Sequence, residues 1–77
     1  MANVTIYSTP SCTYCHLAKQ FFTENNVEYT EVDVAADAEK RTEMIEKTGQ
    51  MGVPVIEVDD QVVVGFEEAK VREMLGM

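Results

Sequence analysis

The sequence predicts an α/β domain with element order β-α-β-α-β-β-α, a four-stranded mixed sheet flanked by three helices. Three observations predict it. An apolar run, Val4-Thr5-Ile6-Tyr7, passes through a short polar loop into a helical pattern. A second helical pattern stops at Gly49, ahead of the apolar run Val55-Ile56-Glu57-Val58. A last run, Gln61-Val62-Val63-Val64, follows across only Asp59-Asp60. A strand–helix–strand opening implies a parallel pair with a right-handed crossover. A two-residue link implies an antiparallel hairpin, and the helices between strands then cover the two faces of the sheet.

Each element has its own signal. Asn3 to Tyr7 reads as the first strand, and Pro10 breaks it within the loop Ser8-Thr9-Pro10-Ser11. Ser11 is placed to cap the first helix. That helix carries Cys15, Ala18 and Phe22 at i, i+3 and i+7, with Phe21 at the margin of the stripe, and Asn25-Asn26 ends it. Val27 to Val34 alternates, but both sets are mixed in polarity, so its position between two helices argues for a strand while its buried face stays open. Asp37 caps or opens a second helix running to Thr48, with Ala38, Arg41 or Thr42, and Ile45 facing inward and Met44 beside them. Gly49 takes the position after its end. The loop Met51-Gly52-Val53-Pro54 enters the third strand. Gly65 ends the fourth, and Glu67-Glu68 place acids in the first turn of a last helix with Ala69, Val71 and Leu75.

Length and composition bound the function. The 77 residues, 45% of them hydrophobic, form a single domain over 1–77. No run reaches the roughly 18 apolar residues of a membrane span. The N-terminus lacks a basic region followed by an apolar stretch, so a cytoplasmic protein is expected. Fourteen acidic against 6 basic residues give a formal net charge of −8. Nucleic acid and anionic lipid, which attract basic patches, are therefore excluded as partners.

Cys12-Thr13-Tyr14-Cys15 carries the chemistry. A C-x-x-C at a strand-to-helix junction, in a protein without secretory features, reads as a thiol–disulfide redox centre. The first Cys is expected in the first turn of the helix, where unpaired backbone N–H groups and the helix dipole favour a thiolate. The second lies one turn along, within disulfide reach. A purely structural bridge explains the pair poorly, because so short a loop hardly restrains the unfolded chain. His16 reads as a solvated or outer-face side chain rather than a general base, since nothing brings it to a proton it could move. One C-x-x-C and one His cannot fill a tetrahedral zinc site, so no metal site is assigned.

These residues resemble the glutaredoxins, small members of the thioredoxin superfamily, over essentially the whole chain. Cys12-Thr13-Tyr14-Cys15 is similar to the dithiol motif C-P-Y-C, with Thr in place of Pro. Thr48-Gly49-Gln50, followed by Val53-Pro54, resembles T-G-Q-x-T-V-P, whose proline is cis in the family. Val64-Gly65-Phe66-Glu67-Glu68 stands where the family has G-G-x-D-D. The resemblance implies a thioredoxin fold and a cytoplasmic thiol–disulfide oxidoreductase. Cys12 would be the attacking thiolate and Cys15 the resolving thiol. Glutathione would be the co-substrate, with no cofactor bound permanently and a monomer expected. Tyr14, Gln50, Val53, Pro54, Gly65, Phe66 and Glu67 would bind glutathione or a protein disulfide. In that set a cis Pro54 presents the Val53 backbone to an extended substrate. The helix N-terminus at Glu67 takes a carboxylate, although a helix start alone also explains acids there. Phe66, for its part, also suits closure of the core.

Three departures bear on glutathione. Thr9 stands where many glutaredoxins carry Lys, Gly52 replaces the Thr of T-V-P, and Glu67-Glu68 lengthen the two acidic side chains. Two alternatives follow. One is a redoxin serving ribonucleotide reductase and recharged by thioredoxin reductase, since Val63-Val64-Gly65-Phe66 is similar to that class's W-S-G-F, though this chain has no Trp. The other is a [2Fe–2S] cluster shared by two chains through Cys12 with glutathione as a further ligand.

Overall fold

β1, Val4–Ser8, is the strand around which the molecule is arranged. The computed structural model describes residues 3–49 and 52–76. After β1 come α1 (Thr13–Glu24), β2 (Thr30–Asp33), α2 (Ala38–Thr48), β3 (Val55–Val58), β4 (Gln61–Val64) and α3 (Glu68–Leu75). All seven expected elements are therefore present, in the expected order. The sheet runs β2-β1-β3-β4. β1 pairs with β2 in parallel, while β1–β3 and β3–β4 are antiparallel. This is the mixed sheet that the crossover and the Asp59-Asp60 hairpin imply.

Strand alternation divides the core into two layers. Val4 and Ile6 of β1 and Ile56 and Val58 of β3 face one side, where Ala18, Phe21 and Phe22 of α1 and Val71 of α3 cover them. Tyr7 and Val55 face the other side, against Met44 of α2 and Val34, the residue that follows β2. Lys47 ties the last turn of α2 to the sheet, donating to the Tyr7 hydroxyl at 3.1 Å and to the Glu57 carboxylate at 3.2 Å. Phe21 is as much core as Cys15, Ala18 and Phe22. At the far end, the Asn3 N–H donates to the Asp59 carboxylate and the Asp59 N–H to the Asn3 carbonyl, each at 2.9 Å, clamping the hairpin; β1 itself begins at Val4 rather than Asn3.

Several local expectations are corrected. Strand β2 is shorter than 27–34, because the Val27 N–H still closes α1 onto the Phe22 carbonyl at 2.8 Å, after Asn26 turns left-handed at φ 57°. Its mixed polarity has a cause. Val32 and Val34 go to the α2 layer, while Glu31 lies on the α1 side and meets Lys19 at 2.6 Å. In α2, Asp37 caps the Lys40 N–H and Gly49 ends the helix at φ 76°, as expected. Its buried residue, however, is Met44; Ala38, Arg41 and Thr42 are exposed and Ile45 is half-buried. A single long thioether fills the contact that a wider stripe was expected to make. In α3, Glu67 is the cap rather than a first-turn residue, Val71 is buried, and Ala69 is exposed.

Because Met44 is the one buried residue of α2, Met44→Ala should cost about 2–5 kcal/mol, the range for truncating a core side chain. Ile45→Ala should cost less than half of that. Urea denaturation of the two variants checks the ranking, and the reverse order would put Ile45 in the core.

Candidate functional site: a helix-capping dithiol

The dithiol loop is built by the end of β1 and the start of α1. The Cys12 N–H donates to the Thr9 carbonyl at 3.2 Å, turning the chain after Pro10. That turn delays the helix by one residue, so Cys12, not Ser11, is the N-cap, with extended φ −84° and ψ 114°. Its sulfur accepts the Cys15 N–H at 3.2 Å. Ser, Thr, Asp and Asn are the usual side chains for this task; here a sulfur takes the position where backbone donors converge. No acidic residue lies in the first turn of α1, so no carboxylate competes for that end of the helix.

The two thiols are unequal. Both are free, with Cys12 partly exposed and Cys15 buried. The Cys15 thiol is pushed up from the ordinary 9.0 to about 12, first by burial and next by its hydrogen bond with Cys12. The Thr9 backbone and the charge of Lys19 act the other way, but less. At neutral pH Cys15 is accordingly a thiol, held beneath an accessible Cys12.

Strand register gathers the other expected residues. Tyr7 of β1 lies opposite Val55 of β3, and Val55 opposite Val64 of β4. The C-terminal end of β1, the N-terminal end of β3 and the C-terminal end of β4 therefore share one end of the sheet. The dithiol loop, Val53-Pro54 and Gly65-Phe66-Glu67 all leave from that end. The Val53–Pro54 bond is cis. The Gly65 N–H donates to the Pro54 carbonyl at 2.7 Å, joining two of these loops directly. Gly65 itself sits at φ 88°, a left-handed conformation that suits glycine.

Tyr14 stands out from α1 with 63% of its surface exposed, and Leu17, one turn on, is also exposed. Phe66 is half-buried and packs on Phe21 with ring centroids 5.7 Å apart, so it closes the α1–α3 layer. Glu67 is exposed and makes no side-chain cap bond. Gln50 lies outside the described residues. His16 Nε2 donates to the Pro10 carbonyl at 2.9 Å, which braces the loop and turns the ring to a structural task. A shallow concavity lined by Asn3, Thr5, Val27, Tyr29 and Thr30 lies at the opposite end of β1 and β2, away from any of this chemistry.

What sequence reasoning missed is the Lys19–Glu31 pair. Glu31 accepts from Lys19 at 2.6 Å and from the buried Ser8 hydroxyl at 3.1 Å. These contacts hold the Glu31 carboxyl below its usual range, and Glu31 in turn raises Lys19. A lysine one turn after Cys15 was the available signal; its acidic partner on β2 was not foreseeable without the register.

The fold and the paired cysteines define a thiol redoxin of the thioredoxin fold. More particularly, the chain belongs to the glutaredoxin family, whose sequence profile matches residues 4–63. It is 40% identical over 68 residues to glutaredoxin 3 of Escherichia coli, covering 88% of this chain and 82% of that protein. It is 28% identical over 74 residues to the glutaredoxin-like protein NrdH of Lactococcus lactis, covering 92% and 97% of the two chains. Among solved structures, the thioredoxin-like protein BC3987 superposes with a TM-score of 0.87 at 32% identity, over 94% of this chain and 99% of that one. No described helix is long and apolar enough to cross a membrane.

Two outcomes are expected. Iodoacetamide at pH 7 should modify Cys12 at least about a hundredfold faster than Cys15, because the thiolate is the reacting form; equal labelling by mass spectrometry would refute this asymmetry. The second outcome concerns alkaline stability. Between 9.0 and about 12 the unfolded Cys15 ionises while the folded one keeps its proton. Stability from this group is thus complete below pH 9 and declines as pH rises. Urea midpoints of the reduced protein at pH 8 and pH 10 should fall more steeply than those of Cys15→Ala.

Proposed function

We propose that this chain is a dithiol glutaredoxin-type oxidoreductase in which Cys12 is the nucleophile and Cys15 the resolving thiol. The observation that carries this reading is the inequality of the two thiols, one accessible at a helix cap and one buried and held protonated. The Cys12 thiolate attacks a substrate disulfide, forming a mixed disulfide and expelling one thiolate. Cys15 then attacks the Cys12 sulfur, closing Cys12–Cys15 and releasing the second thiolate, so two electrons pass to the substrate. With a glutathionylated substrate, Cys12 takes the glutathionyl group, and a second glutathione removes it as glutathione disulfide without Cys15.

Glutathione is the proposed reductant. The 40% identity to a glutaredoxin supports it, as does the grouping of Tyr14, Val53, Pro54, Gly65, Phe66 and Glu67 around one end of the sheet. Gln50 is proposed to join them. In this reading an extended cysteinyl group pairs with the Val53 backbone as an added strand would. A specific observation favours a second reading. Thr9 supplies no charge for a glutathione carboxylate, and the chain also resembles an NrdH protein. That reading makes thioredoxin reductase the electron donor and ribonucleotide reductase a candidate acceptor. A shared [2Fe–2S] cluster fits less well, because such clusters take four thiolates and the one accessible Cys per chain leaves the others to come from elsewhere. A cytoplasmic setting, where thiols are kept reduced, accords with either reading.

Activity assays on single variants test the roles. Cys12→Ser should lose both protein disulfide reduction and deglutathionylation. Cys15→Ser should keep deglutathionylation while protein disulfide reduction falls at least about a hundredfold, since no internal thiol resolves the intermediate. Deglutathionylation lost equally in both variants would overturn the assignment. Thr9→Lys should lower the KM for glutathione about threefold to tenfold at low salt, by adding a charge-assisted contact. If KM is unchanged while thioredoxin reductase recharges the wild type efficiently, the NrdH-like reading replaces the glutathione one.

A further inference from the structure

Cys15 poses a chemical problem. It is buried and a thiol at neutral pH, yet resolution needs its thiolate. The groups around it are few. Cys12 and Lys19 lie on its own helix, one turn before and one turn after, and the Thr9 backbone borders it from the loop. Through Lys19 it meets Glu31 of β2, and His16 and Tyr29 act in turn on that pair. Lys19 is the cation of this set that is pinned in place. Its ammonium is bound at 2.6 Å to a carboxylate that also takes the hydroxyl of Ser8, the buried last residue of β1. Its side chain is 20% exposed, so its charge is only partly screened from the interior.

We propose that Lys19, held by Glu31 and Ser8 one helical turn below Cys15, is a positioning residue for the resolving step: its fixed positive charge favours the Cys15 thiolate that attacks the mixed disulfide. The inference rests on the reading in which Cys15 resolves. Side chains four apart on a helix are neighbours, and a nearby opposite charge favours the ionised form. Glu31 has a double effect. It anchors the ammonium, and its own negative charge offsets part of the field that reaches the sulfur. Lys19 takes no proton. The proton leaves Cys15 for water, the Cys15 sulfur bonds to the Cys12 sulfur, and the expelled thiolate carries away the electron pair of the broken bond.

Ellman's reagent, an aromatic disulfide, separates the steps in a stopped-flow experiment. A first phase releases one aromatic thiolate as Cys12 attacks, and a second releases another as Cys15 resolves. The ratio of second-phase to first-phase rates is followed from pH 6 to 9. Cys15→Ser should lack the second phase; if the wild type lacks it too, the resolving role itself fails. Given a second phase, Lys19→Met should reduce the ratio about threefold to tenfold, up to the tenfold of a one-unit pKa change. Lys19→Arg should restore most of it. Glu31→Gln keeps an acceptor for both partners while removing the opposing charge, so it should leave the ratio equal or up to about threefold higher. A merely structural ion pair would slow both variants alike. A drop in Glu31→Gln matching that in Lys19→Met, an unchanged ratio in Lys19→Met, or a second phase independent of pH would overturn the proposal.

Discussion

Burial of Cys15 on the inner face of α1 is the constraint that joins fold to chemistry. The helix buries Cys15 on the same stripe as Ala18 and Phe22, so one member of the reactive pair lies on its inner face. Once Cys15 is inside, Cys12 has nowhere to go but the helix start, three residues back and at the edge of solvent. Its cap bond from the Cys15 N–H then follows from helix geometry.

The sheet does the complementary work of assembly. An antiparallel β3 places its first residues beside the last residues of β1, and the hairpin returns β4 to the same end. Three loops distant in sequence converge there because of strand direction alone. The bond from the Gly65 N–H to the Pro54 carbonyl ties the two that carry no thiol. Their relative position is thus set by backbone groups, which a side-chain substitution such as Thr to Gly52 leaves in place.

Most of this fold was legible where period and punctuation agreed. The apolar runs of β3 and β4, the 3.6-residue stripe of α1 and the Asp37 and Gly49 ends of α2 appear where the sequence places them. The failures share a cause. Glu31 obscured β2 because it looks, one strand at a time, like an outward residue, whereas it answers a lysine on the helix above it. The α2 stripe misled because one flexible methionine reaches the sheet in place of several short contacts. Ser11 lost the cap to Cys12 because a turn from Thr9 shifts the helix start, a matter of one hydrogen bond rather than of residue preference. Of the site, the dithiol was readable and its supporting ion pair was not, since the pair forms only where α1 packs beside β2.

The distribution of charge explains why a protein so acidic can still manage thiolates. With a net charge of −8, its long-range field opposes every anion that approaches, including a thiolate forming on its own surface. The remedy is local. Cys12 has its sulfur on a backbone N–H at a helix end whose first turn carries no carboxylate. At Cys15 it is a lysine tied to a carboxylate rather than left to swing in solvent. Both are local, within about one helical turn of the sulfur, so salt screens them less than it would a diffuse basic patch. The acidic remainder is then free to serve solubility and to disfavour anionic partners. It is against this field that a lone glutathione carboxylate, with Thr9 in place of a lysine, has to bind.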